Sequence, residues 1–325
     1  MPGSGTRTFN DPEDYQAGLR QSQIGSIVTS TGAFKARLTW AELDHLYLLR
    51  CQEEHPRIAY VSLPRPLVFV SFRTEPGPRS LWGGRELQTG DIIFHSRGER
   101  LHQRTTGPCC WNLIALTPED LEDYGRTLFV QKLVAPEVGT VLRPSPSQSA
   151  DLRRLHASAC RLAETRAQTL SHREAARSLE QNLILALVTC LATAAADDHE
   201  AAKRHHATIM VRFEEVLVEH LRHPLRLTEL CDLIGVPDRT LRSCCAEFLG
   251  IGPSRYVLLR RLKEVRIALR NADPAIASVA EIARDCGFVE FGNRFVAIYL
   301  TMFGETPATT LGRTRGSRFL GPDIG

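Results

Sequence analysis

The sequence predicts a multidomain α+β protein, with a β-barrel or sandwich and a helical hairpin in its N-terminal part and an all-α C-terminal domain. Three patterns predict it. Apolar residues alternate with polar ones from Gly25 to about residue 116, and recur every three or four positions from residue 117 to 196. The last third of the chain carries one helix–turn–helix spacing twice. A length of 325 residues has room for about two domains.

Residues 1–20 are polar and turn-rich and read as a flexible arm. The period-two runs follow: Leu38 and Trp40, Leu46 and Leu48, then Ala59, Val61 and Leu63, then Val68, Val70 and Phe72. Each predicts a strand with one buried face, and residues 92–94 and 111–116 supply two more. Gly83-Gly84 and Gly90-Asp91 predict hairpin turns. If these strands close, their interior is the natural pocket for a small molecule, with Trp82, Phe94, His95 and Trp111 as candidate lining. Arg50, Arg73 and Arg85 are candidate carboxylate clamps, because a guanidinium donates two parallel hydrogen bonds.

Thr117, Pro118, Glu119 and Asp120 start a helix that runs to about Phe129, with a capping hydroxyl, a proline at its first position and acids at its positive end. Residues 136–146 read as a turn-rich break. A helix over about 149–166 places Leu152, Leu155, Ala159 and Leu162 on one side. The next opens with Ser171 and Glu174 as a capping box and carries Leu179, Leu183, Leu187 and Cys190. Residues 147–196 therefore predict a hairpin with one strongly apolar side, free to pack on its own strands or on a second subunit. Residues 197–206, DDHEAAKRHH, are charged and aperiodic and read as the interdomain linker.

In the C-terminal part, Leu227, Leu230, Cys231 and Ile234 share one helical face, Gly235 makes a tight turn, and Leu241, Cys244, Cys245 and Phe248 share the next. Val279, Ile282, Ala283 and Cys286, then Gly287, then Phe295, Ile298, Tyr299 and Met302 repeat the arrangement. Leu230 to Ile282, Ile234 to Cys286 and Gly235 to Gly287 are each 52 positions apart. The two units span about 227–250 and 279–304. Between them runs a basic helix over about 253–270, with Arg255, Arg260, Arg261, Lys263, Arg266 and Arg270 against Glu264. A stiff spacer between two such units suits two major grooves about one turn, roughly 34 Å, apart.

The stretches LTELCDLIGV, RTL, LGIGPSRY, RRLKEVRIALR, the ADP break and GF…RF…Y…FGETP resemble the DNA-binding domain of the AraC/XylS family of bacterial transcription regulators, over roughly residues 204–315. The resemblance implies sequence-specific binding of double-stranded promoter DNA, activation of nearby genes, contact with RNA polymerase, and a homodimer formed through residues 149–196. More weakly, the N-terminal part is similar to the cupin-like effector domain of many members, which implies a small-molecule effector. Carried over by position, the DNA-facing residues are Asp238, Arg239, Thr240, Arg242 and Ser243 in the first unit and Asn293, Arg294, Ala297 and Thr301 in the second. Arg239 and Arg242 are suited to guanine, which accepts a bidentate pair at O6 and N7. Arg260, Arg261 and Arg313 are weaker phosphate candidates, while Arg315 and Arg318 read as a solvated tail. The second unit departs from the pattern. Gly235 to Gly250 spans 15 steps and Gly287 to Gly304 spans 17, so extra length falls near Asn293, and Leu300 stands where the family pattern leads one to expect a basic residue.

A metal-binding cupin would show a His-x-His pair, a following Glu and a distant His. Here His95 and His102 are seven apart, and His45 and His55 lie elsewhere, so no metal or other cofactor is expected. No acid–base pair, nucleophile triad or phosphate loop is evident. Two alternatives remain open: a metal-dependent cupin enzyme fused to a DNA-binding domain, and a regulator without a ligand. The net charge of +3 does not itself argue for nucleic acid; the local clustering does. Nine cysteines without C-x-x-C pairs, a polar N-terminus and no membrane-length apolar run predict reduced thiols in the cytoplasm. The expected division is an arm (1–20), an effector domain (21–146), a hairpin (147–196), a linker (197–206), a DNA-binding domain (207–315) and a tail (316–325).

Overall fold

The computed structural model describes residues 3–19, 23–74, 77–196, 201–220, 225–288 and 292–313. The tail, Arg315, Arg318 and residues 197–200 of the expected linker lie outside them. The chain forms two compact units, residues 1–28 with 33–207, and 29–32 with 208–325.

The first unit contains, in order, β1 (Ser4–Phe9), α1 (Pro12–Gly18), β2 (Gln23–Val28), β3 (Ala36–Glu42), β4 (Tyr47–Glu53), β5 (Arg57–Ser62), β6 (Val68–Arg73), β7 (Ser80–Trp82), β8 (Arg85–Glu86), β9 (Ile92–Phe94), β10 (Arg100–Thr105), β11 (Cys109–Leu116), α2 (Pro118–Phe129), β12 (Thr140–Arg143), α3 (Pro146–Thr165), α4 (Ala167–Ser171), α5 (Arg173–Thr193) and β13 (Ala195–Ala196). The strands separate into an eight-stranded sheet, β1-β3-β4-β11-β6-β9-β12-β13, and a five-stranded sheet, β2-β5-β10-β7-β8. The result is a sandwich. Between the sheets lies a core that includes Leu38, Leu49, Phe69, Trp111 and Leu113 from one and Ala59, Val61, Trp82 and Leu101 from the other.

The larger sheet is buried on both faces. Along β6, Val68, Val70 and Phe72 join a second core with Leu152 and Ala159 of α3 and Leu183, Leu187 and Val188 of α5, while Phe69 faces the first core. The strands thus bury two faces where alternation predicted one, because the helical hairpin covers the other side. The apolar side of α3 and α5 is consumed by this packing. It does not wait for a second subunit.

Several local readings change. The arm is ordered: β1 pairs with β3, the Asp11 carboxylate accepts the Glu13 and Asp14 N–H groups to start α1, and Phe9, Tyr15 and Leu19 are buried. Its three apolar residues are too widely spaced to show a period. The break at 136–146 contains β12, paired with β9. Gly83-Gly84 closes the β7–β8 hairpin with both residues at positive φ, but Gly90-Asp91 leads from one sheet to the other and closes none. The capping box lies at Ser145 and Gln148 of α3, whereas α5 starts after His172 without a side-chain cap. Thr117 does cap α2, accepting the Asp120 N–H at 3.1 Å.

The second unit is all-α: α6 (Ala201–Glu219), α7 (Leu227–Ile234), α8 (Asp238–Phe248), α9 (Pro253–Asn271), α10 (Val279–Asp285), α11 (Asn293–Phe303) and α12 (Pro307–Gly312). Residues 201–206, expected as linker, are the opening of α6. Leu262, Val265 and Leu269 of α9 pack with Ala283, Phe295 and Tyr299 in one core.

In the first unit His156 of α3 is fully buried, its ring edge-on to Phe72 at 5.2 Å. Burial, with Arg50 adding to it, pushes its pKa down from 6.5 to about 3. Between about pH 6.5 and 3 the unfolded chain therefore takes up a proton that the folded chain refuses. Stability contributed by the neutral ring is complete above pH 6.5 and falls with decreasing pH, by at most about 1.4 kcal/mol per pH unit. Urea denaturation of His156→Leu should show a shallower acid-side loss than the parent chain; an unchanged slope would contradict a neutral buried His156.

Candidate functional site

Each two-helix unit turns through a glycine in the left-handed region, Gly235 at φ 80° and Gly287 at φ 83°. Only glycine takes that conformation without a Cβ penalty, so both turns can be tight. The helices that follow, α8 and α11, each contain 11 residues. The extra length of the second unit lies ahead of its helix. α8 begins three residues after Gly235, whereas α11 begins six after Gly287, with residues 289–291 outside the described set. The extra residues precede α11, which keeps the length of α8.

With the buried faces aligned, Phe295 matches Leu241 and Tyr299 matches Cys245, so Asn293 matches Arg239, Arg294 matches Thr240 and Ala297 matches Ser243. Leu241, Cys244, Cys245 and Phe248 are buried, as are Phe295 and Tyr299. Asp238, Arg239, Arg242 and Ser243 are exposed and Thr240 is half-buried; Asn293, Arg294, Ala297, Leu300 and Thr301 are exposed. Arg242 pairs with Asp238 at 2.7 Å, one helical turn back. Arg239 and Arg294 make no ion pair among the described residues. Neither α8 nor α11 has a side-chain cap at its start, so the first-turn N–H groups of both remain open to an anion. Cys245 is fully buried, and burial pushes its thiol up to about 12.

The basic helix is less available than its composition suggested. Glu214 of α6 is 1% exposed and accepts hydrogen bonds from Tyr256 and Arg260 of α9. Arg266 is buried, pairs with Glu305 at 3.4 Å, and lies over the Phe303 ring at 5.0 Å. Arg313 is exposed and also pairs with Glu305, at 2.9 Å. Arg261 is half-buried, and burial lowers the pKa of its guanidinium. Of the three phosphate candidates, Arg260 is thus engaged inside the domain. Nothing in the sequence pointed to Glu214, which looks like any acidic residue on an amphipathic helix.

Residues 230–313 match the family model described as a helix-turn-helix domain. The "XylDLEGF operon transcriptional activator 2" of Pseudomonas putida is 33% identical over 100 residues, 31% of this chain and 63% of that protein. Over this segment the chain is similar to transcription regulators of the AraC/XylS family. Another P. putida protein, "XylDLEGF operon transcriptional activator", is 32% identical over 100 residues, so the match spans only 31% of that relative's length as well as 31% of this chain. A solved AraC-type transcriptional regulator from Chromobacterium violaceum is 25% identical over 33% of this chain and 93% of its own, with a TM-score of 0.30.

The AraC/XylS match leaves the β-sandwich to be read from its own geometry. Three of the predicted pocket residues lie together, the Trp82 ring standing 6.1 Å from that of His95 and 6.0 Å from that of Trp111, and Phe94 lies apart from them. Phe94 belongs to the core under α3 and α5, whereas Trp82 and Trp111 lie in the core between the sheets. His95 is buried and bridges Ser71, at 2.9 Å from Nε2, and Glu99, at 2.6 Å from Nδ1. That order matches a hydrolytic triad, but the Ser71 hydroxyl is fully buried and out of reach of a substrate. The other histidines are dispersed: His45 meets Asp120, His55 the Ala33 carbonyl, and His102 the Tyr60 ring. No group of three or more potential metal ligands occurs among the described residues. A cleft of about 400 Å³ does exist at one end of the sandwich, lined by residues that include Lys35, Arg37, Glu53, Arg73, Gly77 and Cys109. Of the three proposed clamps, Arg50 pairs with Glu164 and Arg85 donates to the Gly139 carbonyl; Arg73 alone borders the cleft.

Removing Arg260 would leave Glu214 buried and under-compensated. Arg260→Ala should destabilise the C-terminal unit by about 3–5 kcal/mol in a denaturant titration. A loss of DNA affinity with unchanged stability would instead make Arg260 a phosphate contact.

Proposed function

We propose that the chain is a sequence-specific DNA-binding transcription regulator that activates promoters in response to a small molecule, with residues 207–315 as its DNA-binding domain and the β-sandwich as its effector domain. The observation that carries this reading is the pairing of α8 with α11: equal lengths, starts without a side-chain cap, and an exposed arginine, Arg239 or Arg294, in the first turn of each. Helices so presented fit neighbouring major grooves, with open N–H groups on phosphate and side chains on base edges. Arg239, Arg242 and Arg294 would read bases, with Asp238, Thr240, Ser243, Asn293, Ala297 and Thr301 around them. Arg313, and Arg261 to a lesser degree, would touch phosphate.

RNA polymerase is the partner that activation requires. The homodimer would have to use a surface other than the apolar side of α3 and α5, which is already buried. Among the described residues no helix is long and apolar enough to cross a membrane, and we place the protein in the cytoplasm.

The two helices should not contribute equally. α8 offers Arg239 and Arg242, whereas α11 offers Arg294 alone. Once genome-wide mapping has supplied a bound promoter fragment, Arg239→Ala should lower its preference over random competitor about tenfold, and Arg294→Ala should do so less. Equal losses in a competitive titration would contradict this ranking, and no preference by the parent chain, with or without candidate effectors, would overturn the reading.

A further inference from the structure

The cleft of the β-sandwich holds a charge that no described residue answers. At this end of the domain three ionisable side chains are almost fully buried: Glu53 (4% exposed), Arg57 (3%) and Arg73 (5%). Glu53 is saturated. One carboxylate oxygen accepts the Tyr15 hydroxyl at 2.7 Å and the Trp111 indole N–H at 3.0 Å, and the other accepts the Arg57 Nε–H. Arg57 donates onward to Gln103. Arg73 has no such arrangement. Among the described residues it makes no hydrogen bond or ion pair, and its Nε is buried without a partner.

Cys109 lines the same cleft and is not the missing anion, since burial, with Glu53 adding to it, pushes its thiol up to about 12. Lys35 pairs with Glu54 at 3.1 Å, both exposed, and Arg37 is exposed on the lining. A desolvated, unpaired guanidinium costs several kcal/mol, so a fold that keeps one facing a cleft is arranged for an anion that enters from outside. Gly77 contributes to the shape: a Cβ there would stand 2.9 Å from the Arg73 Nη2, so the absence of a side chain lets the backbone approach the guanidinium.

We propose that Arg73 anchors a binding site for a small organic oxyanion in the cleft formed by the ends of β3, β4, β6 and β11 and by residues 77–78. The shared chemistry is a carboxylate or phosphate group, held by the guanidinium fork and drawn in by Arg37 and Lys35. A space of about 400 Å³ suits a metabolite rather than a macromolecule. The inference rests on the reading of this domain as the effector-binding half.

The test is a calorimetric titration of the full chain with glutarate, methyl phosphate and the neutral glutaramide. Saturable binding of either oxyanion, with none of glutaramide, is expected, and which oxyanion binds distinguishes carboxylate from phosphate. Arg73→Met should weaken that binding at least tenfold while leaving the Tm equal or higher, because it removes an unpaired buried charge. Gly77→Ala keeps the charge but displaces the guanidinium, and should also weaken binding should Arg73→Met fail to fold. Absence of saturable oxyanion binding, equal binding of glutaramide, or undiminished binding by the variants overturns the site. DNA affinity, measured in parallel, separates the two proposals. Specific DNA binding without oxyanion binding removes the site and leaves the regulator; oxyanion binding by a chain with no DNA preference does the reverse.

Discussion

Glu214 is one of the most deeply buried charges in the chain, and a carboxylate in that position is tolerated only when donors surround it. Tyr256 and Arg260 supply them from α9, four residues apart and hence on one side of the helix. The same helix turns Arg266 toward Glu305 and Phe303 further along. A segment that reads as a cationic rod thus has two of its six cations, Arg260 and Arg266, engaged inside the domain, with Leu262, Val265 and Leu269 in a core with Phe295 and Tyr299. The consequence for function is direct. With these cations engaged internally, the exposed arginines of α8 and α11 become the charges best placed to meet DNA.

The β-sandwich shows the complementary situation. Its polar interior is arranged in closed sets: Glu53 with Tyr15, Arg57 and Trp111; His95 with Ser71 and Glu99. Each set pairs its charges locally, as a low-dielectric interior favours, although Arg57 Nη1 has no hydrogen-bond partner among the described residues. Arg73 breaks that rule. An exception of this kind gains significance because neighbouring groups of the same type obey it.

Much of this was legible in the sequence, and the reasons differ by region. The two helix–turn–helix units were readable because their apolar spacing, their glycine turns and the 52-residue repeat all agree. Strands with apolar residues at every second position, such as Leu38 and Trp40 of β3 and Val68, Val70 and Phe72 of β6, were equally clear. β10 was not, because RLHQRT buries Leu101, His102, Gln103 and Thr105, and a buried polar run has no hydropathy signature. The same blindness hid the function of charged residues. Arg50, Arg73 and Arg85 were equivalent as letters, and only the placement of Glu164, the Gly139 carbonyl and the cleft tells them apart. Arg260 and Arg239 looked alike until Glu214 separated them.

The spacing of the contacts on DNA tests the central claim most directly. Two helices of equal length, joined through α9, should occupy successive major grooves on the same side of the duplex. Hydroxyl-radical footprinting of the full chain on a bound promoter fragment should then show two protected tracts about 10 base pairs apart, roughly 34 Å. A single protected tract, or two on opposite sides of the helix, would contradict the account.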